Sequence, residues 1–176
     1  MSLAASVIEA AAERGIRIAV AESLTGGALA AELVSVPGAS RVFSGGIVAY
    51  DTALKRTLLG VDSQVLAASG PVAAEVAKQM ARGARLACAV PRPDAVEPVP
   101  AELGVATTGV AGPDPDPQTG QPAGVVWLGL SAGERDWAIP LSLAGDRAAI
   151  RASAVHAAIA AVRDELMSGE PLPRTS

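Results

Sequence analysis

Residues 16–30, IRIAVAESLTGGALA, change period partway through, and this constrains the fold more than any other stretch. Ile16 to Ala21 is a short β-branched, apolar run and reads as a strand. Before it, Leu3 to Arg14 has helical spacing, with Leu3, Val7, Ile8 and Ala11 on one side and Gly15 placed as a C-cap. After it, Ser23 or Thr25 opens a second helix that runs to about Val36, where Pro37-Gly38 stops it. A buried strand between two helices is the repeating unit of layered α/β proteins.

The rest of the chain continues the alternation. Arg41 to Tyr50 reads as a strand whose interior Gly-Gly marks a bulge. Thr52 to Leu59 is a short helix, and Asp62 or Ser63 caps another turn. Pro71 to Ala89 reads as the clearest long helix, with Pro71 at its start. VPRPDAVEPVPAE follows, a proline-rich surface loop without regular structure. Leu103 to Thr107 is a strand, and a long Gly/Pro/Asp loop leads to a hairpin, Val125 to Ser131 and Asp136 to Leu143. Asp146 to Met167 closes the chain as a helix. The expected fold is α/β: a three-layer α/β/α sandwich with a mixed central sheet, one domain over 1–168 and a flexible tail over 169–176. Aromatic residues are only 2% of the 176, so Ala, Val, Leu and Ile must fill the core.

The net charge of −4 and the lack of a basic stripe with aromatics argue against nucleic-acid binding. No run is long enough to span a membrane, and the N-terminus reads as an amphipathic helix rather than a signal peptide. The single cysteine, Cys88, rules out an internal disulfide framework and reads as a small core filler. A cytoplasmic protein is expected. Ala-rich faces on the long helices leave room for a homo-oligomer.

Three turns carry groups able to do chemistry. AESLTGG sets small polar residues and two glycines between strand and helix. Its backbone N–H groups suit an anion or a developing oxyanion, although a capped helix with glycines for packing explains it equally. GGIVAYDTALK places Tyr50 at a strand end and Lys55 a turn into a helix. Lys55 is either a solvated surface lysine or, with its pKa lowered by burial, a base. ATTGVAGPDPD is a second hydroxyl-and-amide turn. If its strand runs parallel to the first, both turns leave the same sheet edge, where open α/β sheets bind ligands. Asp114 and Asp116 read as solvated turn acids rather than metal ligands. Arg147 and Arg151 lie one turn apart on the last helix, spaced to grip a phosphate or carboxylate. His156, mid-helix among alanines, reads as packed or surface.

AESLTGG, GGIVAYDTALK, TGVAGP, PAGVVW and GDR, in that order, resemble the CinA C-terminal domain family from about Leu3 to Met167. The resemblance implies a three-layer α/β/α fold and a nicotinamide-nucleotide amidase, which turns nicotinamide mononucleotide into nicotinate mononucleotide and ammonia without metal or cofactor. By motif, it makes Ser23 the nucleophile and Lys55 its general base. Tyr50 would orient or share the proton, and Thr108 would support the pair or contact the substrate. Thr25, Gly26, Gly27 and Gly109 would contact the substrate, with the Thr25-Gly26-Gly27 amides on oxyanion or phosphate, and Arg147 would hold the phosphate. The implied partner is a small nucleotide substrate. The loop from Val90 to Glu102 is longer and richer in proline than is usual in the family. Two other readings compete: a nucleotide-binding or regulatory module of the competence-damage-inducible type, and an amidase for a different small carboxamide.

Overall fold

The computed structural model describes residues 1–168; the tail expected over 169–176 lies outside the described residues. Five strands form one sheet in the order β2-β1-β3-β4-β5. β1 (Ile18–Glu22), β2 (Phe43–Val48) and β3 (Leu103–Gly109) are parallel, with β1 in the middle. β4 (Val125–Ala132) and β5 (Arg135–Ser142) continue antiparallel as a hairpin joined at Gly133-Glu134. The sheet is therefore mixed, as the sequence predicts.

Alternation along the strands divides the core into two. Ile18 and Val20 of β1, with Leu103 and Val105 of β3, face α1 (Leu3–Arg14), α2 (Ala28–Val34) and α6 (Arg147–Met167). Ala19, Ala21 and Ala106 face the other way, against Val76, Met80, Ala81 and Ala84 of α5 (Ala74–Ala87) and residues around α3 (Thr52–Thr57) and α4 (Ser63–Ser69). Side chains on successive strand residues point to opposite faces, so both faces are apolar and covered.

α5 lies unusually close to the sheet because the strands beneath it carry glycine. A Cβ on Gly104 would sit 2.2 Å from the Ala81 carbonyl oxygen, and one on Gly129 would sit 1.9 Å from that of Ala77. Backbone cannot yield as a side-chain tip can. Gly129→Ala is therefore expected to cost about 2–3 kcal/mol, the upper range for overpacking a core, read as a lower urea midpoint at unchanged m-value.

Several boundaries differ from the sequence expectation, each for a local reason. The second helix starts at Ala28, not at Ser23 or Thr25, because Gly26 and Gly27 take positive φ (61° and 95°) and hold residues 23–27 in a turn. α5 starts at Ala74; Pro71 stays outside it in the preceding bend. The proline-rich loop contains a single antiparallel β-bridge, Val90 to Val99, where no regular pairing is expected. A short 3-10 turn at Ala39–Arg41 carries no sequence signal that sets it apart from loop. The Gly-Gly strand does hold an irregularity: Ile18 pairs with Phe43 and Ala19 with Gly45, which leaves Ser44 as the extra residue of a bulge.

Candidate functional site

Because β1, β2 and β3 are parallel, their carboxyl ends share one edge. Glu22 and Ser23 leave β1 there, Thr108 and Gly109 leave β3, and Tyr50 follows β2. Backbone bonds hold the ends together: the Ser23 N–H donates to the Thr107 carbonyl (2.9 Å) and the Ala49 N–H to the Glu22 carbonyl (2.8 Å). A cavity of about 540 Å³ opens at this edge. Ser23, Tyr50, Lys55, Thr108, Gly109 and Arg147 all line it, so six of the nine predicted site residues meet in one place.

Lys55 is the most unusual group in the cavity wall. It is 1% exposed, on a six-residue helix that Asp51 caps at the Ala53 N–H. Its Nζ donates to the Thr108 hydroxyl at 3.3 Å and lies 3.7 Å from the Met80 sulfur. No carboxylate pairs with it among the described residues. Burial without a counter-charge disfavours the ammonium and pulls the Lys55 pKa from 10.5 down to about 8. Thr108 fixes the direction of the contact. Its own hydroxyl donates to the Pro71 carbonyl at 2.7 Å, so toward Lys55 it can only accept. The amine is oriented by an N–H bond, and its lone pair in the neutral form stays free.

At the mouth, Arg147 in the first turn of α6 donates through Nη1 to the Gly112 carbonyl and through Nη2 to the Tyr50 hydroxyl, both at 2.7 Å. Tyr50 is thereby tied to the arginine; no hydrogen bond joins it to Lys55 among the described residues. Arg151 has a different task. Its Nε and Nη2 donate to the carbonyls of Leu24 and Thr25, both at 2.9 Å, so it clamps the turn after Ser23 and forms no pair with Arg147.

The structure does not bring Thr25, Gly26 and Gly27 to the cavity. The Thr25 side chain is fully buried, and its hydroxyl bonds that of Thr107 at 2.7 Å. The N terminus of α2 is filled from within the protein. The Glu22 carboxylate, itself fully buried, accepts from the N–H groups of Gly27 (2.9 Å), Leu29 (3.0 Å) and Ala30 (2.9 Å). A helix N-terminus attracts anions, and here the anion is a side chain. The Leu24 and Thr25 N–H groups meet no acceptor among the described residues; of the two, only Leu24 lines the cavity. Sequence reasoning passes over Glu22, Leu24, Pro71 and Gly112. For Glu22 there is a signal: a carboxylate ending an apolar strand needs buried donors, and the glycine turn supplies them.

Fold and site together define a three-layer α/β/α domain whose cavity sits at the carboxyl ends of parallel strands. The chain belongs to the CinA C-terminal domain family, which it matches over residues 1–166. A CinA-like protein of Frankia casuarinae is 42% identical over 170 residues, covering 97% of this chain and 36% of that relative. A competence-damage inducible protein of Levilactobacillus brevis is 43% identical over 155 residues, covering 88% of this chain and 34% of its own length. The chain thus spans about a third of the length of these relatives. A crystal structure of a CinA superfamily protein from Klebsiella pneumoniae superposes with a TM-score of 0.84 at 30% identity, covering 94% of this chain and 96% of that one. The competence/damage inducible protein CihA of Agrobacterium tumefaciens gives 0.79 at 31% identity, covering 91% of each.

Proposed function

We propose that this domain hydrolyses the carboxamide of nicotinamide mononucleotide, with Ser23 as nucleophile and Lys55 as general base. The observation that carries this reading is Lys55, a buried lysine without a counter-ion that opens into the same cavity as Ser23. With a pKa of about 8, roughly a tenth of the molecules hold the neutral amine at pH 7. An ordinary lysine would be neutral in only about one molecule in two thousand or fewer.

In the proposed reaction, Ser23 Oγ attacks the amide carbon and its proton passes to the Lys55 lone pair. The oxyanion is held by the Leu24 N–H at the cavity wall. Lys55 returns the proton to the leaving nitrogen, and ammonia departs. Water then attacks the Ser23 ester with Lys55 again as base, and nicotinate mononucleotide leaves. Arg147, held in place by Tyr50 and Gly112, supplies the charge for the substrate phosphate. Asp114, on the cavity wall, suits the positively charged pyridinium ring.

The test is ammonia release from nicotinamide mononucleotide and from nicotinamide riboside, with EDTA present. The mononucleotide is expected to be hydrolysed. The riboside, which lacks the phosphate, should show kcat/KM lower by about 10–100-fold, the worth of one hydrogen-bonded charge contact. Equal rates on both would leave an amidase for another small carboxamide. Binding without turnover in well-folded protein would leave the nucleotide-binding module.

A further inference from the structure

A second cavity, of about 370 Å³, lies at the opposite end of the sheet. Its wall includes Gly15 and Arg17 just before β1, Arg41 and Val42 just before β2, and Pro91-Arg92-Pro93 of the proline-rich loop. Three arginines, from three separate parts of the chain, line this one hollow. Grouping like charges is unfavourable, and here it occurs in a protein whose net charge is −4.

The carboxylate bonded to these residues is that of Glu102, which is 3% exposed. It accepts from the Arg17 backbone N–H at 2.8 Å and from Arg92 Nη2 at 2.6 Å. No carboxylate is bonded to the guanidiniums of Arg17 and Arg41 among the described residues, although Glu9 and Glu13 line the adjoining hollow that Arg41 shares. Most of the donors are open as well. Arg17 uses only Nε among its side-chain nitrogens, donating to the Ser44 hydroxyl at 2.9 Å. Arg92 uses only Nη2, and the Arg41 guanidinium meets no acceptor among the described residues.

The elements that hold these arginines are themselves fixed. Ser44, the extra residue of the β2 bulge, anchors Arg17. Arg92 sits between two prolines, whose rings restrict the backbone, in a loop closed by the Val90–Val99 bridge and the Arg92–Glu102 ion pair. The loop that looks like surface decoration in the sequence thus delivers the third cation. Planar, multi-donor guanidiniums, here with Arg17 and Arg92 held in position, suit phosphoryl oxygens.

We propose that Arg17, Arg41 and Arg92 form a binding site for a phosphate-bearing small molecule, separate from the cavity that holds Lys55. Three arginines with a single bonded carboxylate suit a phosphoryl group or a diphosphate. The volume admits a diphosphate with part of an attached group. The proposal does not depend on the amidase reading.

The test is isothermal titration calorimetry of the whole chain with inorganic pyrophosphate and with ADP, at low ionic strength and again with added KCl. Wild type should bind pyrophosphate, and salt should weaken the binding. Arg41→Ala and Arg92→Ala should each reduce affinity at least tenfold, whereas Arg163→Ala, an arginine that lines neither cavity and pairs with Asp164, should leave it unchanged. Arg41 makes no hydrogen bond that the fold depends on, so Arg41→Ala remains decisive even if loss of the Arg92–Glu102 pair loosens the loop. Tighter binding of ADP than of pyrophosphate would identify a nucleotide ligand, and equal binding a phosphate-only site. Absence of pyrophosphate binding in wild type, or full affinity in both Arg41→Ala and Arg92→Ala, would overturn the proposal. So would binding that disappears only in Arg147→Ala.

Discussion

Replacing Lys55 by methionine is expected to abolish amide hydrolysis and, at neutral pH, to make the protein more stable. Both effects come from the same burial. As the proposed base, Lys55 would be needed each time Ser23 gains or loses its proton, so Lys55→Met should lower kcat/KM by about 10³-fold or more, as should Ser23→Ala. The double variant should be scarcely worse than either single one, because the two groups act as a unit. In wild type, kcat/KM should climb about tenfold per pH unit and level off near pH 8, where the neutral amine becomes the main form. Stability should move in the opposite sense to activity in the variant. In the folded protein Lys55 titrates at about 8 and in the unfolded chain at 10.5, so between these values the unfolded chain binds more protons. Wild-type stability therefore rises with pH across that window, and below about 8 the full burial penalty remains, on the order of 3 kcal/mol. Methionine removes that penalty and loses a hydrogen bond to Thr108 worth about 1 kcal/mol. Lys55→Met should thus gain about 2 kcal/mol at pH 7 and lose that advantage by pH 10. Urea unfolding of both proteins at the two pH values measures this. An equal loss of stability at both would show that Lys55 carries no burial penalty and would remove the basis for its action as a base.

How much of this was legible beforehand varies with the kind of interaction. The strands and the edge they share follow from apolar runs such as IRIAVA, whose β-branched composition and flanking glycines survive any tertiary context. Ser23, Tyr50, Lys55, Thr108, Gly109 and Arg147 lie in motifs whose order the sequence shows, and the parallel pairing of β1 with β2 and β3 brings them into one cavity. Burial of Lys55 was not readable. It depends on α5 and its Met80 covering the amine, and a lysine in a short helix has the same local pattern whether covered or solvated. Arg147 and Arg151 show the limit of spacing arguments. Their one-turn separation suggested a joint grip, but the rise along α6 places Arg151 beside the carbonyls of Leu24 and Thr25 and Arg147 beside Tyr50. The proline-rich loop hides its role for a similar reason: Glu102 ties Arg92 of the loop to the Arg17 backbone, which is far away in sequence.

Glu22→Ala should be among the most destabilising single changes in the molecule, at about 3–6 kcal/mol. The fully buried carboxylate accepts from three backbone N–H groups at the start of α2, and alanine would leave Gly27, Leu29 and Ala30 without their acceptor. Each buried donor left unmade costs about 1–3 kcal/mol, against a total stability of about 5–15 kcal/mol for a domain. Glu22→Gln keeps the shape and one acceptor oxygen. That oxygen can serve Gly27 and Leu29 but turns an NH2 toward Ala30, so the cost should fall to about 1–3 kcal/mol. The pair also distinguishes two uses of the glycine turn. If AESLTGG held the substrate phosphate at the α2 N-terminus, neutralising Glu22 would remove a competing negative charge, and Glu22→Gln would lower KM. With α2 capped by Glu22 and the phosphate on Arg147, Glu22→Gln should instead leave KM nearly unchanged. It should lower kcat, because the carboxylate fixes the turn from which Ser23 projects. A marked fall in KM would return the phosphate to Thr25, Gly26 and Gly27. A fall in stability and kcat at constant KM would keep that turn as the mount for Ser23.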